Sequence, residues 1–142
     1  MGALITVALA MPAQLWAAIA RPESAFRATA LDDVFRELGG VPEASDGIIF
    51  STPDIAENGA VVPVKVEIDL AILPNVNRLY VLVEKNPNPV AALFEVPPNT
   101  QPYVETRVKV AQTCDLYAVA EMDDKFFMAK RETKVTLGGC GG

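Results

Sequence analysis

The chain has 142 residues, a formal net charge of −6 and a pI of about 4.6. It lacks the basic footprint that nucleic-acid binding requires. With no histidine, it has no Cys–His or Ser–His dyad, no His general base and no His-ligated metal. Two cysteines alone cannot complete a zinc site, so neither a metal nor a cofactor is expected. The length suits one domain. Eleven prolines among many β-branched residues point to an all-β body.

Gly2 to Trp16 is apolar and free of charge. It is too short for a membrane-spanning helix, and it has the character of a secretory h-region followed by the small residues Ala18 and Ala20. Residues 1–20 therefore read as an export signal whose basic front would lie upstream. The competing reading is a helix buried in the mature protein or held by a partner. Residues 21–40 predict one amphipathic helix. Ser24 is positioned to cap it, and Ala25, Phe26, Ala30, Leu31, Val34, Phe35 and Leu38 form its apolar face. Gly39-Gly40 is a natural stop. Such a helix covers the domain's own sheet or grips a partner.

Residues 41–137 carry strand-like runs broken by turn residues. They are Ile48–Phe50, Val61–Asp69, Leu79–Val83, Val90–Val96, Tyr103–Val110, Leu116–Met122 and Phe126–Leu137. Pro63 marks an edge or a strand start. The nearly continuous Leu79–Val83 run suits a central strand. Asp123-Asp124 reads as a hairpin turn without its usual Gly; as adjacent carboxylates they are a solvated turn rather than a metal site. About seven short strands spaced by about ten residues predict an antiparallel β-sandwich of immunoglobulin-like architecture.

Residues 138–142 are Gly138, Gly139, Cys140, Gly141 and Gly142. Glycine's conformational freedom makes this tail a flexible arm. Fully extended, it places Cys140 about 10 Å beyond Leu137. A free thiol has a pKa near ~8.5, and no histidine, adjacent Lys or Arg, or helix start lowers that of Cys140. Its own chain therefore activates it poorly, as suits a carrier whose partners supply the chemistry. Cys114 is either a small buried residue or a bridge to another subunit, and a Cys114–Cys140 disulfide is formally open.

Several stretches together resemble the SoxY family of bacterial sulfur oxidation. These are the terminal pentapeptide, Pro53-Asp54-Ile55-Ala56-Glu57-Asn58-Gly59 with Val62-Pro63-Val64, Glu84-Lys85-Asn86-Pro87, Ala118-Val119-Ala120-Glu121-Met122, and Lys134-Val135-Thr136. The resemblance covers nearly the whole chain beyond the leader. Cys114 and the Gly-free Asp123-Asp124-Lys125 turn depart from the family pattern. The resemblance implies a periplasmic, non-catalytic sulfur carrier paired with SoxZ; the missing basic front of a twin-arginine signal is a third departure, so the export route, twin-arginine or another, stays open. Cys140 would hold thiosulfate-derived sulfur as an S-thiosulfonate and then a persulfide. The implied partner enzymes are haem-containing SoxXA, the sulfate-releasing hydrolase SoxB and a sulfur dehydrogenase. The alternative is an exported immunoglobulin-like binding module whose terminal Cys crosslinks it to another chain.

Overall fold

A computed structural model describes residues 2–3 and 22–138. The expected export signal therefore falls almost wholly outside the described residues, as do Gly139, Cys140, Gly141 and Gly142. Two short helices, α1 (Glu23–Arg27) and α2 (Leu31–Glu37), precede nine strands. The strands are β1 (Glu43–Ala44), β2 (Ile48–Ser51), β3 (Ile55–Asn58), β4 (Val62–Ile68), β5 (Val76–Val83), β6 (Val90–Glu95), β7 (Tyr103–Val108), β8 (Cys114–Met122) and β9 (Lys125–Leu137). They form a two-layer sandwich of immunoglobulin-like architecture. One sheet has the order β1-β9-β8-β5-β6, with β3 also paired to β9; the other is β2-β4-β7.

All seven expected strands are present, with ends shifted by a few residues. The two additional strands, β1 and β3, are short and run parallel to β9, so the sandwich is not purely antiparallel. Two and four residues long, they are too brief to show an alternating pattern. Pro63 sits at the second position of β4, paired with Arg107 of β7. On the other flank β2 reaches only as far as Lys65, so the missing Pro63 N–H interrupts no ladder there.

β5 is central, between β8 and β6, and both of its faces are covered. Leu79, Val81 and Val83 join Leu116, Ala118 and Ala120 of β8 in the core between the sheets. Tyr80 and Leu82 face the other way with Tyr117 and Val119, beneath Ala25, Val34, Phe35 and Leu38 of the helical segment. The Phe35 and Tyr117 rings meet edge to face at 5.8 Å. Burial on both faces explains why β5 is almost continuously apolar. The helical segment thus covers the domain's own sheet.

The predicted single helix is broken at Ala28–Ala30. Ala28 (φ −60°, ψ 140°) and Ala30 (φ −133°, ψ 147°) have left helical geometry. Asn88 Nδ2 donates to the Ala28 carbonyl at 3.2 Å, a bond that stands where a continuous helix would have its own. The bend lets both pieces press their apolar residues onto one sheet face. Pro22, not Ser24, occupies the first N-cap, and it makes no side-chain capping bond. The predicted stop is where expected: Gly39 and Gly40 have φ of 99° and 137°, and their amides donate to Arg36 and Phe35. This is the Schellman arrangement.

Candidate functional site

β9 is the longest strand, and it outruns its neighbour. Cys114, the first residue of β8, pairs with Thr133, so β9 residues 134–137 extend past the end of β8. β3 takes over there, with Ile55, Ala56 and Asn58 in register with Lys134, Val135 and Leu137. The junction is anchored at Thr133, which is fully buried. Its hydroxyl donates to the Pro53 carbonyl at 2.9 Å and lies 2.9 Å from Thr52 Oγ1. The Lys134 amide donates to the Asp54 carbonyl at 2.9 Å. Thr113 Oγ1 accepts the Val135 amide at 2.9 Å, and Thr136 Oγ1 donates to the Glu57 carbonyl at 3.1 Å.

The final residues are fixed more tightly still. The Gly59 amide donates to the Leu137 carbonyl at 2.7 Å, and the Gly59 carbonyl accepts the Val110 amide at 2.6 Å. Asn58 Oδ1 accepts the Ala60 amide at 2.9 Å, closing the turn. On the far flank, buried Asn86 bridges the β7–β8 loop. Its Nδ2 donates to the Lys109 carbonyl at 2.8 Å, and its Oδ1 accepts the Ala111 amide at 2.9 Å. Ala111 in turn abuts Gly138, where an added Cβ would press into the Ala111 carbonyl oxygen. Gly138 therefore permits a close backbone approach, a different use of glycine from the flexibility expected at the arm.

Two motifs far apart in sequence, Pro53–Gly59 and Glu84–Pro87, thus meet around the exit of the last strand. Both are among the stretches that carry the family resemblance; together they form a shoulder. Thr133 and Ala111, which complete it, carried no sequence signal of their own. Leu137 alternated with inward-facing residues but is 66% exposed, because it lies beyond the end of the core.

Cys114 belongs to the core between the sheets, is 4% exposed and carries a free thiol. Burial pushes its pKa up, although a hydrogen bond from the Lys85 backbone works the other way. That position gives it no open surface for a bridge to another subunit. Asp123 and Asp124 form a two-residue hairpin turn with φ of 52° and 60°. Positive φ at both central residues is the mark of a type I′ turn.

No curated protein sequence matches the chain. The model of the family described as "Sulfur oxidation protein SoxY" matches residues 34–140. Among solved structures, the chain is similar to the sulfur carrier protein SoxY from Chlorobium limicola f thiosulfatophilum. The two share 34% identity and a TM-score of 0.64, over 75% of this chain and 94% of that one. The family match reaches Cys140 and takes in every strand of the sandwich, so the chain belongs to the SoxY family.

Proposed function

We propose that this protein is a covalent carrier of sulfur-oxidation intermediates, with Cys140 as the attachment site. The observation that carries this reading is the braced exit of β9, followed in sequence by Gly139-Cys140-Gly141-Gly142. A rigid shoulder with glycines on both sides of the thiol suits delivery of one cysteine into several enclosed active sites. Family membership and the solved sulfur carrier support sulfur as the cargo.

In the first step the Cys140 sulfur joins the outer sulfur of thiosulfate. The thiol loses its proton, and two electrons pass to a haem-containing oxidase of the SoxXA kind, leaving Cys–S–S–SO₃⁻. In the second step a SoxB-type hydrolase adds water, releasing sulfate and one proton and leaving a Cys140 persulfide. A sulfur dehydrogenase or another acceptor takes the remaining sulfane sulfur. The protein contributes no general base to these steps and acts without catalytic groups of its own. Its constitutive partner is SoxZ, and it works in the periplasm after export by the apolar stretch Gly2–Trp16.

Intact-mass measurement after incubation with the partner enzymes and thiosulfate tests the carrier role. Mass gains corresponding to a thiosulfonate or a persulfide, absent from Cys140→Ser, are expected. Only an unmodified thiol or a plain disulfide under turnover would overturn the carrier reading and favour a crosslinking module. Sequencing the amino terminus of the periplasmic protein tests export, and a protein retained in the cytoplasm would refute it.

A further inference from the structure

The edges of the sandwich are protected unequally. The outer edge of β9 is covered at its two ends by β1 and β3. β7 pairs on one side only, but it carries Glu105 and Arg107, the kind of charge that discourages edge pairing. β6 has no such guard. Among the described residues it pairs with β5 alone, and Val90 to Phe94 contains neither a charge nor a proline. The Val96 amide donates to the Asn77 carbonyl at 2.9 Å, toward β5. Alternation then directs the backbone N–H and C=O groups of Glu95 and Leu93 away from β5, toward a flank where no described strand pairs.

A groove of about 530 Å³ runs between β6 and β7, lined among others by Ala91, Ala92, Asn88, Thr106, Arg107 and Lys109. Arg107 and Lys109 are exposed, and neither enters an ion pair with a described residue. Two unmatched cations beside an apolar edge, on a chain of net charge −6, define what fits there. We propose that the β6 edge seats one extended, acidic strand of the partner subunit. The strand would add to the sheet through main-chain hydrogen bonds, with its carboxylates facing Arg107 and Lys109. A second copy of this chain fits less well, because its β6 offers a single acid, Glu95, already bonded to Arg78 at 2.9 Å. The identity of the partner as SoxZ rests on the carrier reading above.

The test is residue-resolved amide exchange on the full chain, alone and in complex with SoxZ. Leu93 and Glu95 should exchange at least about tenfold more slowly in the complex. Arg107→Glu with Lys109→Glu should weaken the complex by about tenfold or more, with an unchanged melting temperature, because both side chains are exposed. A complex that forms with unchanged β6 exchange overturns strand addition and leaves the carrier role standing. Equal protection of Leu93 and Glu95 in the isolated chain overturns the choice of occupant, in favour of this chain's own residues or a second copy. Failure to form any complex overturns both this proposal and the pairing with SoxZ, whereas the mass adducts on Cys140 report on the carrier role independently.

Discussion

The Gly59 amide donates to the Leu137 carbonyl at 2.7 Å, which ties the last strand residue to a turn 78 positions earlier in the chain. One residue on, Gly138 lies so close to Ala111 that a Cβ there would meet the Ala111 carbonyl oxygen. The shoulder therefore reaches as far as Gly138. Gly138→Val should destabilise the domain by about 1–3 kcal/mol, the usual cost of overpacking. Gly141→Val should leave the melting temperature unchanged and slow delivery to the partner enzymes. Thermal unfolding and turnover measured on both variants check the contrast; equal melting temperatures would remove Gly138 from the shoulder.

Asn86 acts at one remove from the arm. Both ends of its amide are committed, to the Lys109 carbonyl and the Ala111 amide. Asn86→Ala leaves two backbone groups without their partner, and a buried orphan typically costs about 1–3 kcal/mol. Asn86→Asp keeps the acceptor for Ala111 but turns an oxygen toward the Lys109 carbonyl, so it should also destabilise. Denaturant unfolding gives the loss, and faster exchange of the Ala111 amide should accompany it. A stable Asn86→Ala variant with a protected Ala111 amide would refute this bracing role.

The turn at Asp123-Asp124 holds two non-glycine residues at positive φ. Asp tolerates this region better than most residues, but glycine occupies it without a Cβ penalty. Asp124→Gly should therefore stabilise the protein by a few tenths to about 1 kcal/mol, net of the added freedom of the unfolded chain. A rise in the denaturation midpoint at constant slope checks this prediction.

Sandwich architecture was legible because alternation in β4 and β7 reports burial of one face, and the unbroken β5 run reports burial of both. Legibility stopped where structure depends on distant partners. At the Ala28–Ala30 break the freed Ala28 carbonyl is met by Asn88, 60 residues away in sequence. β3 exists because β9 overshoots β8, a fact of register that no local pattern in Ile55–Asn58 encodes. At the candidate site, Cys140 and its glycines were readable because they are contiguous. The shoulder was not, because Gly59, Asn86, Ala111 and Thr133 come together only through topology.

The two cysteines should separate cleanly by reactivity. Cys114 is buried, and burial raises its pKa, so its thiolate is scarce as well as inaccessible. A thiol-reactive chromophore should titrate one fast thiol per native chain, which Cys140→Ser abolishes, and a second only after denaturation. Because the folded-state pKa is raised, the neutral thiol favours folding. That contribution is present below the unfolded pKa and fades as pH climbs past it toward the folded value. Cys114→Ala should lessen this alkaline loss. Two fast thiols in the native protein would contradict the buried position.

Tyr80 sets the stronger alkaline limit. It is buried beneath the helices, its hydroxyl 3.4 Å from Glu121 Oε2, and Arg78 Nη1 lies 3.8 Å from the same carboxylate. Burial first, and then the Glu121 charge, push its pKa from 10.0 up to about 12. The raised value means that the folded state favours the neutral phenol. Its contribution to stability is complete below about pH 10 and is lost between pH 10 and about 12, as the unfolded chain ionises and the folded one resists. Tyr80→Phe cannot ionise, so its stability should fall less steeply over that window, while near neutral pH it should lose only the modest contribution of the hydroxyl's hydrogen bonding with Glu121 and Arg78. Chemical denaturation at pH 8, 10 and 11.5 measures the difference, and absorbance titration of phenolate should find Tyr80 un-ionised until the protein unfolds. Parallel stability curves for the two proteins would show that Tyr80 ionises without resistance from its surroundings.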